Sequence, residues 1–205
     1  TLVHGLHPTW VRKVKDRMDQ LGERTIFFNI MDSLPRIFRN LRLDAQREEQ
    51  EQGSPSWKAN LTPLDVLVWR DEERHVSEVF AAYEGCEHYI LPYDEPVETF
   101  YHLVFEPQRQ KIYLSYPITG IIMRQPSLLD DVREFANELR KDFVVFDPLS
   151  MKDTEWLRGH LTEEDWPVPG DAEREHVEAQ TVARDLQLID QSDFTVVYNR
   201  LDEPV

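Results

Sequence analysis

Apolar residues along this chain fall into two patterns, short unbroken runs and longer stretches in which they recur at helical spacing. The first marks buried strands and the second amphipathic helices, so their alternation predicts an α/β protein. Thr1-Leu2-Val3-His4 is a short strand candidate, and Thr25-Ile26-Phe27-Phe28-Asn29-Ile30 is a stronger one, read as buried on both faces. The helix after it carries Leu34, Ile37, Phe38 and Leu41 on one face. Residues 44 to 60 are almost wholly polar and contain Gly53, Ser54 and Pro55, which predicts a mobile loop. Thr62-Pro63-Leu64-Asp65 then supplies an N-cap, a proline in the first turn and a carboxylate three residues on. The helix it starts is expected to run to Tyr83 and to bury Leu64, Leu67, Val68, Val76, Val79, Phe80 and Tyr83. Its charged middle, Arg70-Asp71-Glu72-Glu73-Arg74, reads as a solvated face held by ion pairs along the helix, with phosphate-facing arginines as the rival. After Gly85 come a strand at His88-Tyr89-Ile90-Leu91 and a helix from about Pro96 to Val104.

Glu106-Pro107-Gln108-Arg109-Gln110 is polar and punctuated by proline, so it reads as a linker. Beyond it, strands are expected near 111–115, 143–147 and 194–198, parallel and joined by helices. Ser127 is placed to cap a helix whose Leu128, Val132, Phe135 and Leu139 face inward. A polar insertion from Lys152 to about Ala172 carries Trp156 and Trp166, read as anchors onto the core rather than platforms for a base. On the following helix Val182, Leu186 and Ile189 define a buried stripe with Asp185 at its edge. The expected fold class is therefore α/β, with two small parallel-sheet, three-layer domains: residues 1–105, a linker 106–110, and residues 111–205.

Open parallel sheets bind ligands beyond the carboxyl ends of their strands. In the second domain that rule selects Ser115, Tyr116 and Thr119 after the first strand, Asp147 after the next, and Asn199 and Asp202 after the third. Each has a plainer reading as a core aromatic, a turn cap or a loop residue. Asp185 has the better case, because a carboxylate at the edge of an apolar stripe can face a cleft. His4 and His7 lack the further ligands of a metal site, and no Ser-His-Asp or Cys-His arrangement can be defended. No metal is expected, and nothing in the sequence names a cofactor.

Two segments carry a resemblance. Lys111-Ile112-Tyr113-Leu114-Ser115-Tyr116-Pro117-Ile118-Thr119-Gly120, and Arg184-Asp185-Leu186-Gln187-Leu188-Ile189-Asp190-Gln191-Ser192-Asp193 ahead of an apolar strand, together resemble the nucleoside 2-deoxyribosyltransferase family. The resemblance implies a nucleoside-binding domain in which Asp185 lies in the active site and handles the base. It also implies a nucleophilic Glu in a Gly-x-x-x-Glu-Leu-Gly segment after the third strand, which this chain does not reach; Glu203 lacks the flanking glycines. The element order of residues 1–105 resembles the second half of an archaeal-type adenylate kinase. No Gly-x-x-x-x-Gly-Lys-Ser/Thr loop is present, and the lid region offers only Arg42, Arg47 and Lys58.

Composition changes this picture in three places. The net charge of -16 over 205 residues argues against nonspecific binding to duplex nucleic acid, although small anions remain open. No apolar run approaches the ~18 residues of a membrane span, so a soluble protein without a membrane partner is expected. The single Cys86 is read as a packed residue and fits a reducing cytoplasm. No signal peptide is visible, and a chain that opens without Met in a candidate strand reads as a fragment. The function expected is nucleotide processing: binding a nucleoside or nucleotide and cleaving or transferring its N-glycosidic bond. The alternatives are a noncatalytic nucleotide-sensing or assembly module, or a P-loop kinase or ATPase whose P-loop is not in this chain. Enzymatic turnover and self-association into a homo-oligomer are left open.

Overall fold

The computed structural model describes residues 8–150 and 170–200, and these divide into two units: 8–93 with 170–182, and 94–150 with 183–200. The sequence features at His4, His7, Trp156, Trp166, Asp202 and Glu203, with the first strand candidate, lie outside the described residues. Both units are mixed helix and strand with small parallel sheets, an α/β fold. Among the described residues, no helix is long and apolar enough to cross a membrane.

The first unit contains α1 (Pro8–Leu21), β1 (Ile26–Met31), α2 (Leu34–Gln52), α3 (Pro63–Glu84) and β2 (Glu87–Pro92). β1 and β2 pair in parallel from Ile26 opposite Glu87 to Met31 opposite Pro92. Within β1 only Asn29 and Met31 are buried and Ile30 is exposed, so the expected burial on both faces is not found; each strand of a two-stranded sheet is an edge. Leu34 and Phe38 of α2 form a small core with Val66, Leu67 and Val177, flanked by Ile37 and Leu41 as their spacing required.

Residues 44–52 do not form a mobile loop; they continue α2 to its left-handed cap at Gly53. The stretch is polar, but it is built from Ala, Gln, Arg and Glu, which favour helix. The segment after it folds back onto the helix. Glu48 accepts from the Ser56 hydroxyl at 2.5 Å and from Lys58 at 2.6 Å, and Ser56 is buried.

α3 begins as its sequence predicts. The Thr62 hydroxyl accepts the Asp65 N–H while the Asp65 carboxylate accepts the Thr62 N–H, closing a capping box. Its buried face, however, is Pro63, Val66, Leu67, Arg70, Ser77 and Ala81, whereas Val68, Val76, Val79 and Tyr83 are exposed. Polar side chains occupy the inward face because partners await them. Arg70, only 7% exposed, donates to Gln180 Oε1 at 2.8 Å and to the Asp32 carbonyl at 3.3 Å. The solvated reading of Arg70 is therefore corrected, while Arg74 does pair along the helix with Asp71 and Glu78.

The second unit holds α4 (Val97–Phe105), β3 (Lys111–Ser115), α5 (Ile118–Arg124), α6 (Leu128–Leu139), β4 (Val144–Phe146) and β5 (Phe194–Val197). A further helix, α7 (Asp171–Asp190), has residues 183–190 in this unit and its earlier residues in the first. The three strands expected from their apolar runs are present, all parallel, in the order β4-β3-β5. Contacts divide the chain between Tyr93 and Asp94, so Glu106–Gln110 lies inside the second unit as a tied turn rather than as a linker. There Arg109 donates to the Arg140 and Lys141 carbonyls. Ile112 and Leu114 of β3 pack with Tyr116, Ile121, Val132, Ala136 and Val145. Ser127 makes no capping bond, because the first amides of α6 are already taken: Leu128 N–H donates to Gln125 and Leu129 N–H to Pro126.

Two residues of the second family-like segment have clear local work. The Ser192 hydroxyl donates to the Leu188 carbonyl at the end of α7. The Asp193 carboxylate accepts the Lys111 N–H at 2.7 Å while the Asp193 N–H donates to the Lys111 carbonyl, pinning the start of β5 to the start of β3.

Candidate functional site

Tyr116 and Asp147 follow neighbouring parallel strands, and the fold brings them together. The Tyr116 hydroxyl donates to Asp147 Oδ1 at 2.7 Å. The same oxygen accepts the Leu149 N–H at 2.9 Å, closing the turn that leads into the short 3-10 helix Pro148–Ser150. Both bonds converge on Oδ1, so among the described residues Oδ2 carries no hydrogen bond. Burial, aided by the charge of Asp147, pushes the Tyr116 hydroxyl well above the ordinary phenol range and keeps it protonated as a donor. The plain readings of both residues hold as well: Tyr116 packs in the core and Asp147 caps a turn.

Asp185 stands on α7 half-buried, but not beside the stripe that its spacing suggested. Val182, Leu186 and Ile189 are exposed, and the helix buries Val177, Gln180, Arg184 and Leu188 instead. Counting only apolar side chains misplaced the face, because Gln180 and Arg184 are polar and buried. Burial raises the Asp185 carboxyl above its usual range, with the neighbouring Arg184 charge opposing.

The residue that links these groups is one the sequence reading passed over. Tyr113, buried in the middle of β3, alternates away from Ile112 and Leu114 and so leaves the core cluster they form. Burial pushes its phenol up to about 12, with the charges of Asp185 and then Asp147 adding to the effect. The two carboxylates thus lie within electrostatic reach of one hydroxyl. The available signal was the pleat, which sets Tyr113 on the face shared by Lys111 and Ser115.

The other expected residues are less committed. Ser115 ends β3 half-buried, and its carbonyl accepts the Tyr198 N–H at 2.8 Å. Asn199 is exposed beyond β5. Thr119 lies in α5, and its side chain is outside the described residues. Among the described residues no group of three or more His, Cys, Asp or Glu side chains is arranged to hold a metal ion.

In the first unit, a surface cavity of about 230 Å³ opens where β1 and β2 begin, lined by Lys15, Asp19, Arg24, Thr25, Cys86 and Glu87 among others. It lies at the amino ends of its strands, opposite to where parallel sheets place ligands. Both of its cations are paired, Lys15 with Asp19 and Arg24 with Glu87. The Cys86 thiol is raised by burial, away from thiolate reactivity. The lid cations expected from the kinase-like order are engaged as well: Arg47 pairs with Asp44, Lys58 pairs with Glu48, and the Arg42 guanidinium sits over the Phe38 ring.

No family model, curated protein or solved structure matches this chain.

Proposed function

We propose that the second unit binds a nucleoside or nucleotide at the carboxyl ends of β3 and β4 and cleaves or transfers its N-glycosidic bond. The observation that carries this reading is the Tyr116–Asp147 pair, with one carboxylate oxygen tied twice and the other without a hydrogen bond among the described residues. An acceptor of this kind suits a sugar hydroxyl. Asp185 supplies the second half of the chemistry. A carboxyl whose proton is held more tightly by burial can donate it to the leaving base as the C1′–N bond breaks, while water or a second base attacks C1′ and gives up its proton to the carboxylate so formed. In this role Asp185 orients and protonates the base and does not itself attack the sugar. The likeness of the β3 and α7 segments to nucleoside 2-deoxyribosyltransferases supports the same assignment, and the single Cys86 fits a reducing cytoplasmic setting.

The noncatalytic reading, nucleotide sensing or assembly, is favoured by the structural duties of the same residues, since Tyr116 and Asp147 both serve the fold. Incubation with 2′-deoxyadenosine, 2′-deoxycytidine and AMP, followed by calorimetry and chromatography of free base, separates the two. Saturable binding with base release supports the enzyme, binding without release supports the sensor, and absence of binding by all three removes the nucleoside reading.

A further inference from the structure

In the first unit, α3 carries a second apolar stripe on the side away from its buried face. Trp69, Glu72, Val76, Val79 and Tyr83 recur at alternating steps of three and four residues, the spacing of a helix–helix seam, and all are exposed. Trp57, 61% exposed in the short 3-10 turn Trp57–Asn60, widens the stripe at one end, its ring 6.1 Å from that of Trp69. At the other end Arg12 of α1 lies over the Tyr83 ring and pairs with Glu84. Single apolar residues on a surface are ordinary. Here five apolar side chains together expose roughly 550 Å² along one helix, toward the upper end of what a monomer shows in one patch.

We propose that this stripe is the surface on which two copies of the chain pair, α3 against α3, antiparallel about a twofold axis at Val76. Val76 stands midway between two aromatics, seven residues after Trp69 and seven before Tyr83. In an antiparallel pair centred there, Trp69 of each copy meets Tyr83 of the other and Val76 meets its own counterpart. That is the self-complementarity an isologous contact requires. Glu72 selects the same arrangement. A parallel pair would set the two Glu72 carboxylates against each other. The antiparallel pair sets each Glu72 opposite Phe80, four residues from the axis, so the two lie about 12 Å apart along the helices and outside the screening length of about 8 Å. The area fits as well. A standard interface covers about 800 Å² per partner, about 65% of it apolar in homodimers, and the stripe supplies roughly that apolar share. Exposed polar neighbours such as Asp65 and His75 are placed to form the rim.

Two measurements on the full chain decide this. Sedimentation equilibrium over a range of concentrations is expected to show wild type approaching twice the chain mass, and Val76→Asp associating at least about tenfold more weakly with an unchanged circular dichroism spectrum. Val76 lies outside the core, so the added charge acts on the pairing surface. The second measurement reads the axis itself. In a Cys86→Ser background, a short bismaleimide is expected to join Val76→Cys chains into dimers. Leu43→Cys chains are expected to stay single, since Leu43 is exposed on α2 on the side away from buried Leu34, Phe38 and Ala45. Wild type that remains monomeric at every concentration overturns the proposal. So does a folded Val76→Asp whose association weakens less than about tenfold, or linkage at position 43 as efficient as at position 76. If Val76→Asp does not fold, the cross-linking comparison decides by itself.

Discussion

The Tyr116 hydroxyl holds Asp147 Oδ1 at 2.7 Å, tying the residue after β3 to the residue after β4 across the end of a parallel sheet. Removing it tests whether the bond serves the fold alone. Tyr116→Phe keeps the ring in its core position and leaves Oδ1 with only the Leu149 N–H. The expected loss of stability is about 1–2 kcal/mol, the worth of a partly buried bond to a charged acceptor. Nucleoside affinity is expected to fall as well, because Asp147 is no longer fixed. Urea unfolding and calorimetry on the same variant measure the two effects separately. A stability loss with unchanged affinity would assign the pair to structure.

In the first unit, Ser77 of α3 is the centre of a buried polar chain. Its hydroxyl donates to the Arg74 carbonyl at 2.8 Å, receives Asn29 Nδ2 at 3.2 Å, and lies 3.0 Å from His88 Nε2. Its single proton goes to Arg74, so the network assigns a hydrogen to His88 Nε2 as the donor to Ser77. Burial lowers the His88 value, the Arg74 charge assists, and Glu78 opposes. A folded value below the unfolded one means that the stabilising contribution is complete above about 6.5, the unfolded histidine value, and is lost as pH falls through the folded value. Urea midpoints are expected to fall between pH 7 and 5, and to fall less in His88→Gln. An equal fall in both proteins would place the acid sensitivity elsewhere.

Arg70 and Gln180 provide a sharper stability test. Gln180 Oε1 accepts from Arg70 while its amide donates to the Leu67 carbonyl at 2.8 Å, and both side chains are buried. Arg70→Ala leaves Gln180 and the Asp32 carbonyl short of a donor, with an expected cost of about 1–3 kcal/mol. Arg70→Met fills the space of the stem and is expected to lose less. A change under about 0.5 kcal/mol for Arg70→Ala, typical of surface positions, would return Arg70 to the solvated face first read from the sequence.

Strands and helix starts were legible because their signals are local. The runs at Ile26, Lys111, Phe143 and Phe194 became parallel strands, and Thr62-Pro63-Leu64-Asp65 became a capping box. Helix faces were less legible. In α3 and α7 the inward positions include Arg70, Ser77, Gln180 and Arg184, while Val68, Val79, Val182 and Leu186 point outward. A hydrophobic pattern cannot anticipate polar burial whose partners come from distant segments. The tail of α2 failed for a related reason, since polarity was taken for disorder where helix propensity decided. At the site, Tyr116 and Asp147 could be paired in advance because strand order implies adjacency. Tyr113 was hidden among apolar strand neighbours.

A nucleoside bound where β3 and β4 end and met there by Asp185 requires wild type and Asp185→Ala to differ when each is titrated with 2′-deoxyadenosine. Circular dichroism provides the folding control. Asp185 is half-buried and its charged form is disfavoured by that burial, so its loss is expected to leave the fold intact at neutral pH. Wild type is expected to bind saturably and the variant about tenfold more weakly, the roughly 1.4 kcal/mol at the upper end of a neutral hydrogen bond's worth. Equal affinities in two equally folded proteins would contradict this placement of the nucleoside.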